Sequence, residues 1–145
     1  MRPNSSSAGL CAVTRLLLLT SILLLGAASK AQLAPPASDP VVFNGLSGDV
    51  KAGKALYNSF CIACHSVGNN GIGPAHRGVF GRKAGLAPGY DYSEAVRKSS
   101  ILWTAENLNR WLTDPEKLIP GQNMNQNVPA AQDRANVIAY LATLK

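Results

Sequence analysis

The sequence predicts a small all-α domain. Three observations support this class: helical apolar spacing follows residues that cap helices, no stretch alternates as a strand does, and loops rich in glycine and proline separate the helical stretches. The predicted domain spans residues 48–145 of the 145-residue chain. A domain of this size has a limited core of its own, so it gains stability by wrapping a large apolar cofactor.

Residues 1–31 have the features of a secretory signal peptide. Arg2 and Arg15 precede an apolar run over residues 16–28, and residues 1–31 contain no acidic residue. We predict cleavage near Ala31 and a periplasmic or otherwise exported protein with no stable membrane insertion. The alternative is an uncleaved anchor, but the thirteen residues of the run are fewer than the roughly 20 that span a bilayer.

The charge of the mature chain is modest. The whole sequence has 14 Lys and Arg and 8 Asp and Glu, and residues 1–31 contain three of the basic residues and none of the acidic ones. The rest of the chain therefore has 11 basic and 8 acidic residues, a net charge of +3. It has no basic run and no aromatic stripe among basic residues, so the sequence gives no support to nucleic-acid binding.

The first predicted elements are an arm and a helix. Residues 32–47 are rich in proline and lack a helical period, which predicts a linker or arm. Ser47 or Asp49 can then cap a helix over residues 50–60. Gly53 lies inside this helix, where it costs about 1 kcal/mol relative to alanine. Its presence predicts the close approach of another helix.

Loops and short helices fill the rest of the domain. Residues 68–89 are predicted to form a loop with many glycines, and Ser93 and Thr104 can cap two short helices. The second of these should stop before Pro115, because a residue that precedes proline avoids the α region. After an irregular loop over residues 116–128, Pro129 can open a last helix that runs to about Leu144.

Cys61, Cys64 and His65 form a C-x-x-C-H motif, the attachment signal for c-type haem. In a helical turn these three residues lie close together, so one turn can present two thiols and an imidazole to one flat ligand. Each thiol would form a thioether with a single haem c, and His65 would bind its iron. Two other interpretations are a thiol–disulfide oxidoreductase that uses the cysteine pair and a zinc site that adds His76.

The second axial ligand is expected to be Met124, with His76 as the competitor. Met124 is the only methionine after Ala31, and it lies in a polar loop where a packing role is less natural. His76 lies eleven residues from His65, in a loop that must turn beside it, and is expected in the pocket wall. Ligation by histidine and methionine leaves no open iron site for oxygen chemistry, which favours electron transfer over an enzyme.

Residues 48–145 resemble the class I c-type cytochromes, the family of mitochondrial cytochrome c and its soluble bacterial relatives. Residues 48–54 (GDVKAGK) match the first helix of the family, and residues 61–65 match its haem anchor. Residues 119–124 (IPGQNM) match its axial-methionine loop, and residues 138–141 (IAYL) match its last helix. The resemblance implies the small cytochrome c fold, in which the N- and C-terminal helices cross and short helices and loops wrap one covalent haem.

The resemblance also implies further haem-binding residues. Pro74 would accept the ring proton of His65 through its carbonyl oxygen, which raises the basicity of the ligand. Trp111 stands where the family commonly has a tyrosine near the methionine sulfur, and an indole differs because it can only donate. The residues expected to hydrogen-bond or lie beside the haem propionates are Arg82, Tyr92 and Trp103.

The surface expected to meet redox partners departs from the mitochondrial pattern. Phe60, Glu116 and Gln126 occupy positions where mitochondrial members have lysines or an aromatic residue. We therefore expect an exported partner other than a mitochondrial-type oxidase. The sequence predicts a monomeric, single-haem electron carrier that docks transiently on a donor and an acceptor. The alternative is a haem subunit fixed to a dehydrogenase or oxidase complex, with residues 32–47 as its tether.

Overall fold

The computed structural model describes residues 41–43 and 45–145. The predicted signal peptide (1–31) and most of the predicted arm (32–40 and Asn44) lie outside the described residues. The described part contains five helices and one two-stranded sheet. The helices are α1 (Val50–Phe60), α2 (Glu94–Lys98), α3 (Ala105–Thr113), α4 (Pro115–Leu118) and α5 (Ala131–Thr143), and the strands are β1 (Val42–Phe43) and β2 (Leu46–Ser47).

Helix α1 begins at a side-chain cap. Asp49 accepts a hydrogen bond from the Ala52 N–H at 2.6 Å through Oδ1, which satisfies one of the free N–H groups of the first turn. Its own N–H donates to Oδ1 of Asn136 in α5 at 2.9 Å. The cap therefore starts α1 and also ties this end of the helix to α5.

The crossing of α1 and α5 is the centre of the fold. Gly53 approaches α5 so closely that a Cβ atom there would collide with the carbonyl oxygen of Asn136. The close approach predicted from this glycine is confirmed. Tyr57 on α1 is 2% exposed, and Ile138 on α5 is fully buried. Burial of a side chain the size of isoleucine stabilises a fold by roughly 1.5–3 kcal/mol, so this crossing makes a large contribution.

The shorter helices follow the predicted caps, with one addition. The side chains of Ser93 and Thr104 cap α2 and α3. Helix α4 lies where the sequence predicted an irregular loop, because Asp114 accepts from the Lys117 N–H at 3.0 Å and proline is pre-shaped for a first helical position. The rest of that loop has no helix before Ala131.

The small sheet lies in the segment predicted as an arm. Its strands are antiparallel, with Val42 opposite Ser47. The Gln132 side chain donates to the Ser47 carbonyl at 2.9 Å, so this segment is attached to α5. Within residues 41–43 and 45–145, no helix has the length and apolar character needed to cross a membrane.

Candidate functional site

The C-x-x-C-H motif continues the last turn of α1. Cys61 ends the helix and its N–H donates to the Tyr57 carbonyl at 2.9 Å. The N–H groups of Cys64 and His65 then both donate to the Cys61 carbonyl, at 3.1 and 2.8 Å. The motif therefore has the compact turn that was predicted, with Cys61 half-buried and Cys64 exposed.

The Cys61 thiol is not activated for redox exchange. Burial, with a smaller effect of Cys64, raises the pKa of Cys61 to about 11. A thiol–disulfide oxidoreductase needs a lowered thiol pKa, because the thiolate is the reactive form. The structure therefore disfavours the oxidoreductase interpretation.

The imidazole of His65 is fixed in one tautomer. Its Nδ1 lies 2.8 Å from the carbonyl oxygen of Pro74, and a carbonyl oxygen can only accept, so Nδ1 has the hydrogen and Nε2 keeps a lone pair. Burial lowers the pKa of His65, and the Pro74 hydrogen bond offsets part of that effect. A Cβ atom on Gly73 would collide with the His65 ring. The ring is thus a neutral, closely packed donor for a metal.

His76 lies beside His65. Its ring centroid is 4.1 Å from that of His65, and the two planes are within 18° of parallel. Among the described residues, no group of three or more His, Cys, Asp or Glu could hold a metal ion, so the zinc interpretation has no support in this part of the chain. His76 is therefore a direct neighbour of the predicted ligand His65.

Met124 lies in the loop between α4 and α5, with its sulfur hydrogen-bonded. The indole N–H of Trp111 donates to the Met124 sulfur at 3.0 Å. The backbone N–H of Met124 donates to the side-chain oxygen of Gln122. The Gln122 amide in turn donates to Glu116 at 3.2 Å, and this carboxylate also accepts from the Gly121 N–H at 2.9 Å. Hydrogen bonds therefore hold Met124 both at its sulfur and at its backbone N–H.

Arg82 has a buried donor that no group of the described residues satisfies. Its two terminal nitrogens donate to the carbonyl oxygens of Arg77 and Ala75, at 2.8 and 3.2 Å. Its Nε is buried and has no hydrogen-bond partner within residues 41–43 and 45–145, although such donors are nearly always paired. A carboxylate at this point would complete the hydrogen bonding of the guanidinium. Arg77 and Arg82 both line a depression of about 520 Å³.

Tyr92 and the two tryptophans lie near this arginine. Tyr92 is half-buried, its hydroxyl accepts from the Ala87 N–H at 3.2 Å, and burial raises its pKa, with a smaller opposing effect of Arg82. The backbone N–H of Trp103 donates to the Arg82 carbonyl at 2.9 Å. The centroid of the Trp103 ring lies 5.2 Å from that of the Trp111 ring. Contacts therefore connect Arg82 through Trp103 and Trp111 to Met124.

The predicted site residues thus form two connected groups. One group contains Cys61, Cys64, His65 and Pro74, and the other contains Arg82, Tyr92, Trp103, Trp111 and Met124. No hydrogen bond of the described residues joins His65 to Met124. Two thiols on one turn, a neutral imidazole, a thioether and an orphaned guanidinium N–H together fit a haem c with its carboxylates.

Comparison with known proteins agrees with this geometry. The family profile described as "Cytochrome c" matches residues 50–145. Cytochrome c2 of Rhodopila globiformis is 46% identical over 101 residues, which cover 68% of this chain and 95% of that protein. The chain belongs to the cytochrome c family. Cytochrome c of Euglena viridis is 45% identical over 101 residues, covering 68% of this chain and 99% of that protein.

A solved structure confirms the fold of this cytochrome. Cytochrome cH from Methylobacterium extorquens superposes with a TM-score of 0.64 at 41% identity, covering 66% of this chain and 99% of that one. The predicted family, the all-α cytochrome c fold and a covalent haem c attached through Cys61 and Cys64 are therefore confirmed. As a member of this family, the protein is a single-haem electron carrier.

Two features of the site were not predicted from the sequence. The first is the flat contact between His76 and His65, since the sequence placed His76 only in the pocket wall. The second is the support that Glu116 and Gln122 give to the loop of Met124. Neither had a signal in the sequence, because each depends on how a loop folds back on itself.

Proposed function

We propose that this cytochrome is an exported, monomeric electron carrier whose haem iron is bound by His65 and Met124. The observation that carries the proposal is the 3.0 Å hydrogen bond from the Trp111 indole to the Met124 sulfur. It engages one lone pair of the sulfur and leaves the other for a metal. The neutral His65, whose Nε2 keeps a lone pair because Nδ1 donates to Pro74, would supply the other ligand.

These ligands favour electron transfer without catalysis. A bound haem would supply a one-electron couple, and His65 and Met124 would both bind its iron and raise its potential. The protein keeps both ligands in place through Pro74 on one side and Trp111 on the other. No position is then left for a substrate at the iron, so the activity is exchange of one electron with a donor and an acceptor.

Arg82, Tyr92 and Trp103 have a supporting role in this proposal. The unpaired Nε of Arg82 would donate to a haem carboxylate, with Tyr92 beside it. A charge-assisted hydrogen bond of this kind is about twice as strong as a neutral one. The depression lined by Arg77 and Arg82 would then hold the carboxylate edge of the haem.

Replacement of Met124 tests the proposed sixth ligand. Met124→Ala removes the sulfur, so we expect ferrous protein that binds carbon monoxide and a reduction potential well below that of the wild type. Asn125→Ala is the matched control, because Asn125 is the exposed next residue of the same loop. A redox titration and carbon monoxide difference spectra of both variants make the measurement. An unchanged potential and no carbon monoxide binding in Met124→Ala would assign the ligand role to another residue.

Export has a separate test. We expect the purified protein to begin at Gln32 after removal of the predicted signal peptide, and intact-mass spectrometry with N-terminal sequencing measures this directly. A cell-fractionation experiment should place the haem protein outside the cytoplasm. A mature chain that keeps residues 16–28 would instead support the anchor interpretation.

A further inference from the structure

His76 packs its ring flat against that of His65, with centroids 4.1 Å apart and planes within 18° of parallel. Two backbone hydrogen bonds hold their chain segments side by side. The His76 N–H donates to the Ser66 carbonyl at 3.0 Å, and the Arg77 N–H donates to the Val67 carbonyl at 2.8 Å. The stack is therefore supported by paired backbone and does not depend on side-chain packing alone.

The other edge of the His76 ring contacts Tyr57. His76 Nδ1 lies 3.1 Å from the Tyr57 hydroxyl oxygen, and the two ring centroids are 5.6 Å apart in an edge-on arrangement. Tyr57 lies on α1, and its ring meets that of Tyr140 on α5 at 5.1 Å. A continuous set of contacts therefore runs from the helix crossing through His76 to His65.

A polar ring is a costly way to fill this space. The His76 ring is half-buried, so its nitrogen atoms are partly shielded from water. A polar nitrogen shielded from water needs a hydrogen-bond partner, and the Tyr57 hydroxyl provides one. An aliphatic side chain would fill the volume without that need, but it would present no flat face to His65.

The hydrogen bond to Pro74 fixes only one atom of the His65 ring. A parallel ring at van der Waals distance restricts the tilt of the whole plane, and neighbours of a metal-binding histidine set its ring orientation. We propose that His76 is a positioning residue that fixes the ring plane of His65 and, through the Tyr57 hydroxyl, links that plane to the crossing of α1 and α5. This inference rests on the proposed ligation of iron by His65.

The test compares three variants of the haem-loaded protein. The readouts are the g values of the ferric low-spin iron and the proton shifts of the haem methyl groups, since both depend on the orientation of the axial imidazole. In His76→Leu we expect covalent haem and a low-spin spectrum, but shifted g values and a changed order or spread of methyl shifts. Tyr57→Phe should shift both readouts in the same direction by less.

Tyr140→Phe is the matched control. It keeps the ring that packs on Tyr57 and removes a hydroxyl that has no hydrogen bond among the described residues, so both spectra should equal those of the wild type. Wild-type g values and methyl shifts in His76→Leu would overturn the proposal, even if thermal stability fell, because the ring would then only fill space. If His76→Leu does not fold, Tyr57→Phe decides by the same spectra: shifted values support the proposal and unchanged values overturn it.

Failure of the proposed function would give a different result. The wild-type protein would then lack covalent haem, or its iron would lack a low-spin spectrum typical of histidine and methionine ligation. Failure of the positioning role leaves that wild-type spectrum intact and removes only the difference between wild type and His76→Leu. The wild-type spectrum therefore tests the proposed function, and the comparison of wild type with His76→Leu tests the positioning role.

Discussion

The hydrogen bond between Trp111 and Met124 is the most informative contact of a single side chain. An indole N–H is a donor only. At 3.0 Å from the Met124 sulfur, the Trp111 indole therefore withdraws electron density from that sulfur. A sulfur with less electron density stabilises ferric iron less. Trp111 should therefore favour the reduced protein and raise the reduction potential.

Trp111→Phe removes this donor and keeps an aromatic ring. We expect the reduction potential to fall by about 20–60 mV, since a net hydrogen bond is worth about 0.5–1.5 kcal/mol and a tenfold change in a one-electron equilibrium corresponds to 59 mV. Trp111→Tyr is the control, because a hydroxyl can also donate to sulfur. A potentiometric titration makes the measurement, and an equal or higher potential in Trp111→Phe would contradict the role.

At the scale of the element, α1 connects the stability of the fold to the geometry of the site. Its middle turn crosses α5 at Gly53, and its last turn ends at Cys61 and positions Tyr57 against His76. A displacement of α1 on α5 would therefore move the haem attachment and the contacts of His65 together.

Gly53→Ala tests this crossing. In an open helix the change would stabilise by about 1 kcal/mol, but here the added Cβ atom meets the Asn136 carbonyl. We expect a loss of about 1–3 kcal/mol in the free energy of unfolding, as in other overpacked cores. Lys54→Ala, at the exposed next position, should change it by less than about 0.5 kcal/mol. Urea titration measures both, and a more stable Gly53→Ala would refute the close packing.

At the scale of the whole molecule, the two segments that contain the proposed ligands have no charged side chains of their own. Residues 55–76, which include His65, and residues 118–132, which include Met124, have no Asp, Glu, Lys or Arg. Ile62 and Ile72 are 56% and 78% exposed, and they line one depression with Cys64 and His65. Contact with a redox partner at this uncharged surface should depend on apolar packing and little on electrostatic attraction.

The salt dependence of electron exchange tests this surface. We expect the self-exchange rate, measured by NMR line broadening in mixtures of oxidised and reduced protein, to change less than about twofold when the salt concentration rises from low to physiological. Ile62→Lys should slow exchange at low salt and make it rise with salt. Val50→Lys adds the same charge at the exposed start of α1 and should behave like the wild type. Strong salt dependence in the wild type would contradict the prediction.

How much of the structure the sequence could predict depends on how far apart along the chain the interacting residues lie. Caps at Asp49, Ser93 and Thr104 could be predicted because each bonds to a backbone group within three residues. Gly53 predicted a helix crossing because a glycine inside a helix is destabilising, and close contact with another helix explains its presence there. The family resemblance then supplied contacts that spacing alone could not, such as the hydrogen bond of His65 to Pro74.

Other features could not be predicted because they depend on three-dimensional placement. The stack of His76 on His65 needs the backbone pairing of two loop segments. The hydrogen bond that the Gln122 amide donates to the Glu116 carboxylate needs the return of the methionine loop toward α4. Helix α4 was missed because four residues are too few for a helical period, and Pro115 had been interpreted only as the end of α3.

The most direct test of the central claim is the reaction of the purified wild-type protein with carbon monoxide, read from its absorption spectrum. If His65 and Met124 occupy both sides of the iron, the ferrous protein will keep its low-spin spectrum under carbon monoxide, and the ferric protein will show the far-red absorption of a sulfur-to-iron transition. Ready binding of carbon monoxide by the folded ferrous protein, with no such far-red absorption in the ferric form, would contradict the account.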